Sequence, residues 1–119
     1  MSQEKKKVVR RYDEAWAEPD HAARLAALAD IWAGDGIYVD PEVPDGVRGR
    51  AALSDSIAAS HDEMPGLTIK ATSELVVLGD RGWYRWEATT SDGDSFDGID
   101  FGEFTPDGRI ARLTNFYEA

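Results

Sequence analysis

Asp100 has the most unusual setting of any acidic residue in the sequence. It lies in residues 95–105, Ser-Phe-Asp-Gly-Ile-Asp-Phe-Gly-Glu-Phe-Thr. In a β-strand, alternation places Asp100 on one face with two glycines and two phenylalanines, which are Phe96, Gly98, Gly102 and Phe104. A carboxylate on a mostly apolar face, with glycines leaving room beside it, is a candidate acid or base. The alternative is an exposed aspartate on an ordinary amphipathic strand.

Two further residues carry groups suited to proton transfer. Tyr12 is central on an apolar helical stripe with Val9 and Trp16, so its hydroxyl is either a satisfied core group or a donor aimed into a cavity. Asp40 ends a short predicted strand, residues 37–39, and Pro41 holds it in an extended conformation. The Asp-Pro pair also serves simply to end a strand.

The histidines and the absence of cysteine argue against a metal or redox site. His61 falls on the apolar side of a predicted helix, where a core or partly exposed histidine is more common than a ligand or a base. His21 lies far from it in the sequence, and the two form no metal-binding motif. With no cysteine and no phosphate-binding glycine loop, we expect no metal and no cofactor.

Composition excludes several classes of function. The net charge of −10 argues against nucleic acid, because phosphate binding needs basic patches. The basic cluster in residues 5–11 is interpreted as a solvated helical face. Residues 1–7 are polar, and no run approaches the roughly 18 apolar residues of a membrane span. We therefore expect one cytoplasmic domain, residues 1–119, with no membrane partner.

The periodicity predicts an α+β fold. Helices are expected from about residue 3 to 17, then after Asp20 with Leu25, Leu28 and Trp32 on one side, and from Arg50 to just before Pro65. A short strand, 37–39, and a loop, 42–49, separate the last two helices. Period-two segments follow at 67–78, 83–90, 95–105 and 109–117. The predicted order is α-α-β-α-β-β-β-β, with three helices packed on a curved, mostly antiparallel sheet.

Several short segments resemble those of one superfamily. They are Val-Val-Arg-Arg-Tyr at 8–12, Tyr-Val-Asp-Pro at 38–41, Gly-Arg-Ala-Ala-Leu at 49–53, Gly-Ile-Asp-Phe at 98–101 and Asp-Gly-Arg-Ile at 107–110. Together they resemble the NTF2-like superfamily, which contains nuclear transport factor 2, ketosteroid isomerase and the SnoaL-like polyketide cyclases. The resemblance implies a cone with a pocket at its open end. It does not by itself define the chemistry, because the fold hosts many functions.

The resemblance to ketosteroid isomerase implies roles for three residues. Tyr12 and a protonated Asp100 would form an oxyanion hole, while Asp40 would shuttle the proton. Proton transfer beside a carbonyl needs such a base together with donors where negative charge develops. An apolar setting that raises the pKa of Asp100 would allow it to donate.

A second resemblance involves the predicted strand 83–90. Alternation groups Trp83, Arg85 and Glu87 on one side, and the family alignment implies that this side faces the cavity. An inward Arg85 would keep Asp100 ionised. Arg85 and Glu87, together with Tyr38 and Asp40, also resemble the limonene epoxide hydrolase type. Asn115 stands where that type has its last acid, and an amide can position water but cannot remove a proton.

Three functions are compatible with the sequence. The first is a SnoaL-like isomerase or cyclase acting on a small apolar or aromatic carbonyl compound, with Asp100, Asp40 and Tyr12 as catalytic residues. Its substrate-binding residues would be Tyr38, Trp83, Arg85, Glu87, Asn115 and His61. The second is a noncatalytic small-molecule-binding module. The third is a structural dimer module, because the convex face is expected to carry Tyr84, Trp86, Ile99 and Phe101. The same patch also predicts a homodimer under the other two functions.

Overall fold

The computed structural model describes residues 2–118 and contains three helices and seven strands. The helices are α1 (Ser2–Ala17), α2 (His21–Ile31) and α3 (Arg50–Glu63). The strands are β1 (Trp32–Asp40), β2 (Val43–Arg48), β3 (Thr68–Ala71), β4 (Val76–Leu78), β5 (Arg81–Thr89), β6 (Ser95–Phe104) and β7 (Ile110–Phe116). Among the described residues, no helix combines the length and apolarity needed to cross a membrane.

The strands form one mixed sheet, and the predicted α+β architecture is confirmed. The strand order is β2-β1-β7-β6-β5-β3, with β4 pairing to β5 beside β3. All pairs are antiparallel except β1 with β7, which is parallel. The helices cover one face of the sheet, and the core lies between them. We call the opposite side of the sheet the outer face.

The helices begin and end largely where the sequence predicts. On α1, Val9, Tyr12 and Trp16 are buried, which confirms the predicted apolar stripe. The Asp20 side chain caps α2 by accepting a 2.8 Å hydrogen bond from the Ala23 backbone N–H. Such a cap satisfies one of the free N–H groups at a helix start.

Three element boundaries differ from the prediction. Helix α2 ends at Ile31, and Trp32 has an extended backbone and opens β1, where it pairs with Ile110. The predicted loop at 42–49 contains β2, which tolerates Pro44 because it lies at the edge of the sheet. The predicted long strand at 67–78 is two short strands, since β3 and β4 pair with different parts of β5.

The pairing of β5 with β6 decides which side chains reach the core. Tyr84 is directly opposite Asp100, so the two side chains share the inner face. Tyr84 and Trp86 are buried, whereas Trp83, Arg85 and Glu87 lie on the outer face. The predicted orientation of this strand was therefore wrong. Alternation groups residues into two sides, but only contact with the helices shows which side is inside.

Candidate functional site

A pocket of about 100 Å³ opens between the end of α1, the end of β1 and the inner face of the sheet. Aromatic and aliphatic side chains form most of its walls, and four polar side chains, Asp40, Glu42, Ser60 and Asn115, lie among them. We call it the mouth pocket, and its main lining residues are Trp16, Tyr38, Asp40, Trp86, Phe96, Asn115 and Tyr117.

Three rings pack against one another along one wall of the mouth pocket. Trp86 contacts Phe96 and Tyr117 edge-on, at ring-centroid distances of 5.6 and 6.0 Å. Phe96 and Tyr117 lie 5.9 Å apart. Edge-to-face packing of this kind holds rings in place and presents a flat apolar wall to a ligand.

A deeper and smaller cavity of about 10 Å³ lies beyond the mouth pocket, and we call it the chamber. It is lined by Tyr12, Asp13, Trp16, Ile69, Trp86, Asp100 and Asn115. Trp16, Ile69, Trp86 and Asn115 also line the mouth pocket, so the two spaces share a wall. The chamber has room for about one water molecule or one polar atom of a ligand.

Three buried polar atoms at the chamber have no hydrogen-bond partner among the described residues. They are Asp100 Oδ1, Asn115 Oδ1 and Trp86 Nε1. Buried polar groups are nearly always paired, so three unpaired atoms at one small cavity point to a polar guest. They comprise two oxygens and one donor, Trp86 Nε1, which lies near enough to Asp100 to oppose the rise of its pKa. A carbonyl oxygen in the chamber would accept from Trp86 and from a protonated Asp100, whereas Asn115 Oδ1 needs a donor such as a hydroxyl or water.

The environment of Asp100 favours its neutral form. The residue is only 4% exposed. Burial raises the pKa of Asp100 from 3.8 to about 8, and the negative charge of Asp13 adds to this rise, although hydrogen bonding from Tyr84 and, more weakly, from Trp86 opposes it. Among residues 2–118, no ion pair includes Asp100. At neutral pH this carboxyl group can therefore act as a hydrogen-bond donor.

Tyr84 connects Asp100 to a second carboxyl group on α1. The Tyr84 hydroxyl lies 2.7 Å from Asp100 Oδ2 and 2.9 Å from Asp13 Oδ1. Burial raises the pKa of Asp13 from 3.8 to about 7, against the opposing effect of the Tyr84 hydrogen bond. Tyr12, the neighbour of Asp13, has a pKa well above its usual value because of burial and the charge of Asp100.

A polar chain also crosses the mouth pocket. The Tyr38 hydroxyl donates to Asp40 Oδ2 at 2.7 Å and accepts from Asn115 Nδ2 at 3.1 Å. Asp40 Oδ1 accepts from the backbone N–H groups of Glu42 and Val43 at 2.8 and 3.0 Å. These contacts fix the Asp40 carboxylate at the rim of the mouth pocket. Asn115, the cross-strand partner of Asp100, lies between this rim and the chamber.

Five of the nine predicted site residues lie around this cavity. Tyr12 and Asp100 line the chamber, Tyr38 and Asp40 line the mouth pocket, and Asn115 lines both. The roles proposed for them remain predictions, but their positions are compatible with one shared ligand.

The other four predicted site residues do not line the cavity. Trp83, Arg85 and Glu87 project from the outer face, so the arginine and acid expected from an epoxide hydrolase are absent from the pocket. The cation expected beside Asp100 is absent for the same reason. His61 Nε2 contacts the backbone carbonyl oxygen of Trp16, which places His61 behind a pocket wall.

Sequence reasoning missed Asp13 and misplaced Tyr84 and Trp86. Asp13 follows Tyr12 directly and was hidden among the charged residues of α1. The strand register that places Tyr84 opposite Asp100 is a pairing between distant segments, which one sequence does not display.

The space expected beside Asp100 is also filled on one side. A Cβ atom at Gly98 would lie 2.4 Å from the Trp86 ring and 2.2 Å from the Phe116 carbonyl oxygen. Gly98 is therefore required for the close approach of Trp86 and not for ligand room.

Comparison with known proteins supports the fold. The family description "SnoaL-like domain" matches residues 9–113. A "putative isomerase" of the SnoaL-like family from Agrobacterium tumefaciens is 24% identical, with a TM-score of 0.88 over 98% of this chain and 99% of that protein. A "putative ketosteroid isomerase" from Kribbella flavida is 22% identical, with a TM-score of 0.75 over 98% and 79% of the two chains.

A third solved structure extends the similarity. An NTF2-like protein of unknown function from Exiguobacterium is 18% identical, with a TM-score of 0.75 over 93% of this chain and 98% of the other. No functionally curated protein matches the sequence. At these identities the likeness establishes the NTF2-like fold, whereas any activity has to be argued from the site.

Proposed function

Because this chain belongs to the SnoaL-like domain family, we propose that it is a cofactor-independent enzyme that moves a proton beside the carbonyl group of a small, partly apolar compound. The observation that carries the proposal is the setting of Asp100. This carboxyl group is buried, has no cationic partner among the described residues, and has one unpaired oxygen at a chamber beyond an aromatic pocket. Its pKa is raised to about 8, so at neutral pH it is mostly a donor.

The geometry suggests a division of labour between chamber and rim. The ligand's carbonyl oxygen would occupy the chamber, where protonated Asp100 donates to it and Tyr12 and the Trp86 indole N–H are further donors at the same cavity. Asp40 at the rim would remove a proton from the neighbouring carbon. The electrons of that C–H bond form a C=C bond, and the carbonyl π electrons move to oxygen, where the donors stabilise the developing charge.

The second half of the reaction returns the proton. Asp40 would deliver it to a different carbon of the conjugated intermediate, and the C=O bond forms again. No oxidant, reductant or metal is required for this sequence. The net result is an isomerisation. A ring closes instead when the enolate carbon attacks a second carbonyl carbon of the same molecule, whose π electrons move to its oxygen, and that oxygen then takes the proton from Asp40.

Pocket size restricts the substrate class. Pockets for drug-sized ligands usually measure about 300–1,000 Å³, whereas the mouth pocket measures about 100 Å³. The aromatic walls favour a flat apolar body, and the chamber favours a single oxygen at its end. A compound with about one ring and one carbonyl therefore fits the site better than a steroid.

A β,γ-unsaturated cyclohexenone tests the proposal directly. Its isomerisation gives a conjugated enone, whose formation is followed by ultraviolet absorbance. We expect turnover by the wild-type chain, strong loss in Asp100→Asn and Asp40→Asn, and no loss in Asp97→Asn, which changes an exposed acid on the same strand. Turnover that survives Asp100→Asn would rule out the assigned role of Asp100.

The alternative is a binding module that performs no chemistry. The observation favouring it is that the Asp40 carboxylate already accepts three hydrogen bonds, from Tyr38 and two backbone N–H groups, which leave fewer of its lone pairs free to take a substrate proton. In that case cyclohexanone would quench or shift the fluorescence of Trp16 and Trp86 on binding. The enone test would show no turnover, while Asp100→Asn would still weaken cyclohexanone binding.

We also propose that the chain forms a homodimer through the outer face of its sheet. The apolar residues there are Trp83, Ile99, Phe101 and Phe116, which adjoin one another on β5, β6 and β7. We call them the outer patch, and Trp83 and Phe116 are 36% and 55% exposed. Tyr84 and Trp86, which were expected in this patch, belong to the core instead.

The charges around the outer patch suit a contact between two identical surfaces. The chain as a whole carries a net charge of −10, but this face carries both signs of charge. Pairing across the strands places Arg48, Lys70, Arg81, Arg85 and Arg112 there with Glu87, Asp97 and Glu103. A two-fold contact needs such self-complementarity, because each patch meets a copy of itself.

A further inference from the structure

Three side chains form a continuous hydrogen-bonded chain through the core. Tyr84 on β5 lies between Asp13 on α1 and Asp100 on β6, with oxygen to oxygen distances of 2.9 and 2.7 Å. Tyr84 is 2% exposed and Asp100 is 4% exposed, so bulk water does not replace either partner. Both contacts are within ordinary hydrogen-bond range.

The number of hydrogens available to Asp13, Tyr84 and Asp100 limits the total charge of this hydrogen-bonded chain. The Tyr84 hydroxyl has one hydrogen and can donate it fully to only one carboxylate. The other short contact needs a hydrogen supplied by a carboxyl group, which donates to the Tyr84 oxygen. Without a ligand, two hydrogens therefore serve three oxygen-bearing groups, and the two aspartates together carry a single negative charge. When Asp100 donates to a ligand oxygen from Oδ1, Tyr84 donates to Asp100 Oδ2, so Asp13 takes up a further proton and donates it to the Tyr84 oxygen.

The surroundings of the chain support the same charge state. Facing Asp13 are Lys6, Arg10 and Glu14 from α1, together with Glu74 from the segment between β3 and β4. Lys6 pairs with Glu74 at 3.1 Å, and within the described part of the chain no ion pair includes Asp13 or Asp100. The groups around Asp100 are neutral, namely Tyr12, Tyr84, Trp86 and Asn115.

The chain joins two separate cavities. A cavity of about 280 Å³, which we call the second cavity, lies between α1 and the β3 to β5 region, and Asp13 and Tyr84 form part of its wall. Asp100 lines the small chamber but neither the mouth pocket nor the second cavity. Lys6, Arg10, Ser73 and Glu74 give this wall a polar character that admits water. Asp13 therefore borders both the chamber and the second cavity.

From this geometry we infer that Asp13 is a relay residue through which Asp100 exchanges protons with the second cavity, across the hydroxyl of Tyr84. The relay rests on the proposed function, in which Asp100 acts on a ligand in the chamber. A ligand in the mouth pocket would separate Asp100 from water on that side. The path through Tyr84 leads away from the ligand and would remain open.

The transfer is balanced and needs no tyrosinate. When Asp100 is protonated and Asp13 is ionised, the Asp100 hydrogen moves to the Tyr84 oxygen while the Tyr84 hydrogen moves to Asp13. Two O–H bonds break and two form. The negative charge passes from Asp13 to Asp100, which changes from an acid into a base. Asp13 then exchanges its proton with water in the second cavity.

Carboxyl carbon NMR of the full chain with ¹³C-labelled aspartate tests the relay without a substrate. We expect Asp13 and Asp100 each to report the same two titration steps, separated by more than about one pH unit, because strongly coupled groups titrate as a pair. In Asp13→Asn, Asp100 should titrate in a single step at lower pH. Asp97→Asn should leave both curves unchanged. If Asp13 had only a structural role, Asp13→Asn would leave the titration curve of Asp100 unchanged.

A second measurement follows the exchange itself. In wild type, saturation of the water signal should be transferred to the Tyr84 hydroxyl proton by exchange. In Asp13→Asn this transfer should be lost, while the hydrogen bond between Tyr84 and Asp100 persists. Tyr84→Phe should remove the hydroxyl signal and the shared titration together. If Asp13 and Asp100 titrate independently in wild type, or if Asp13→Asn leaves the exchange unchanged, the relay is wrong.

The outcomes separate the relay from the proposed function. If Asp13 and Asp100 titrate as a coupled pair but the protein turns over no enone, the proposed function is overturned and the proton sharing between Asp13, Tyr84 and Asp100 stands. Turnover that needs Asp100 but is accompanied by independent titration would overturn the relay alone.

Discussion

Asp100 and Asn115 are direct cross-strand partners on β6 and β7, and each has one unpaired side-chain oxygen at the chamber. Both oxygens are acceptors when Asp100 is ionised, so each needs a donor. A water or a ligand hydroxyl in the chamber would supply one. The pair therefore links the occupancy of the chamber to the protonation of Asp100, because a hydrogen on Asp100 Oδ1 is available to a guest when Tyr84 donates to Oδ2.

The first prediction concerns the pH dependence of stability. The pKa of Asp100 is raised from 3.8 to about 8 in the folded chain, so between these values the folded state binds a proton that the unfolded state has released. The stabilising contribution is complete below about pH 4 and is lost as the pH rises through about 8. Asp100→Asn should therefore be more stable than wild type at about pH 9, by up to roughly 5 kcal/mol, since one pKa unit corresponds to about 1.4 kcal/mol.

Chemical denaturation at several pH values measures this difference. The control is Asp55→Asn, which removes an exposed charge from α3, away from the outer face. A wild-type stability that rises from about pH 5 to pH 9 relative to Asp100→Asn would contradict the raised pKa.

The second prediction tests the neutral surroundings of Asp100. Asn115→Asp places a second carboxyl group opposite Asp100, where like charges in a buried site disfavour each other. We expect a loss of stability of about 2–4 kcal/mol at neutral pH, within the range for burying an uncompensated charge, and a much smaller loss at about pH 4, where both groups are protonated. Thermal unfolding at the two pH values measures the effect. An equal loss at both would indicate a packing defect.

The third prediction concerns the close approach of Trp86 to β6. A methyl group at Gly98 would collide with the Trp86 ring and with a backbone carbonyl, so Gly98→Ala should destabilise the fold by about 1–3 kcal/mol. Gly34→Ala is the matched control, because no atom lies within 4 Å of the added carbon. Denaturant midpoints that are equal for the two variants would show that Trp86 has room to move.

The fourth prediction concerns the outer patch. If two chains associate through it, Trp83→Glu should convert a dimer into a monomer, because a buried, unpaired carboxylate is costly. Light scattering coupled to size exclusion gives the mass. Ala22→Glu, on the exposed side of α2, should leave the dimer intact. A wild-type monomer at micromolar concentration would contradict the interface.

Much of the site was predictable because its residues carry strong local signals. Tyr12 lies on a helical apolar stripe, Asp40 precedes a proline, and Asp100 interrupts a face of glycine and phenylalanine. Each of these patterns comes from one short segment. The short strand β2 and the break between β3 and β4 carry weaker signals, because both depend on pairing with distant strands.

The three helices, most of the strands, the α+β class and the two sides of each strand follow from local patterns in the sequence. Which side of β5 faces the helices does not, because alternation has a period of two in either orientation. Packing in three dimensions places Tyr84 and Trp86 in the core and Arg85 and Glu87 outside. With Arg85 turned away, Asp100 keeps Tyr84 and Asp13 as neighbours, and its chemistry follows from that contact.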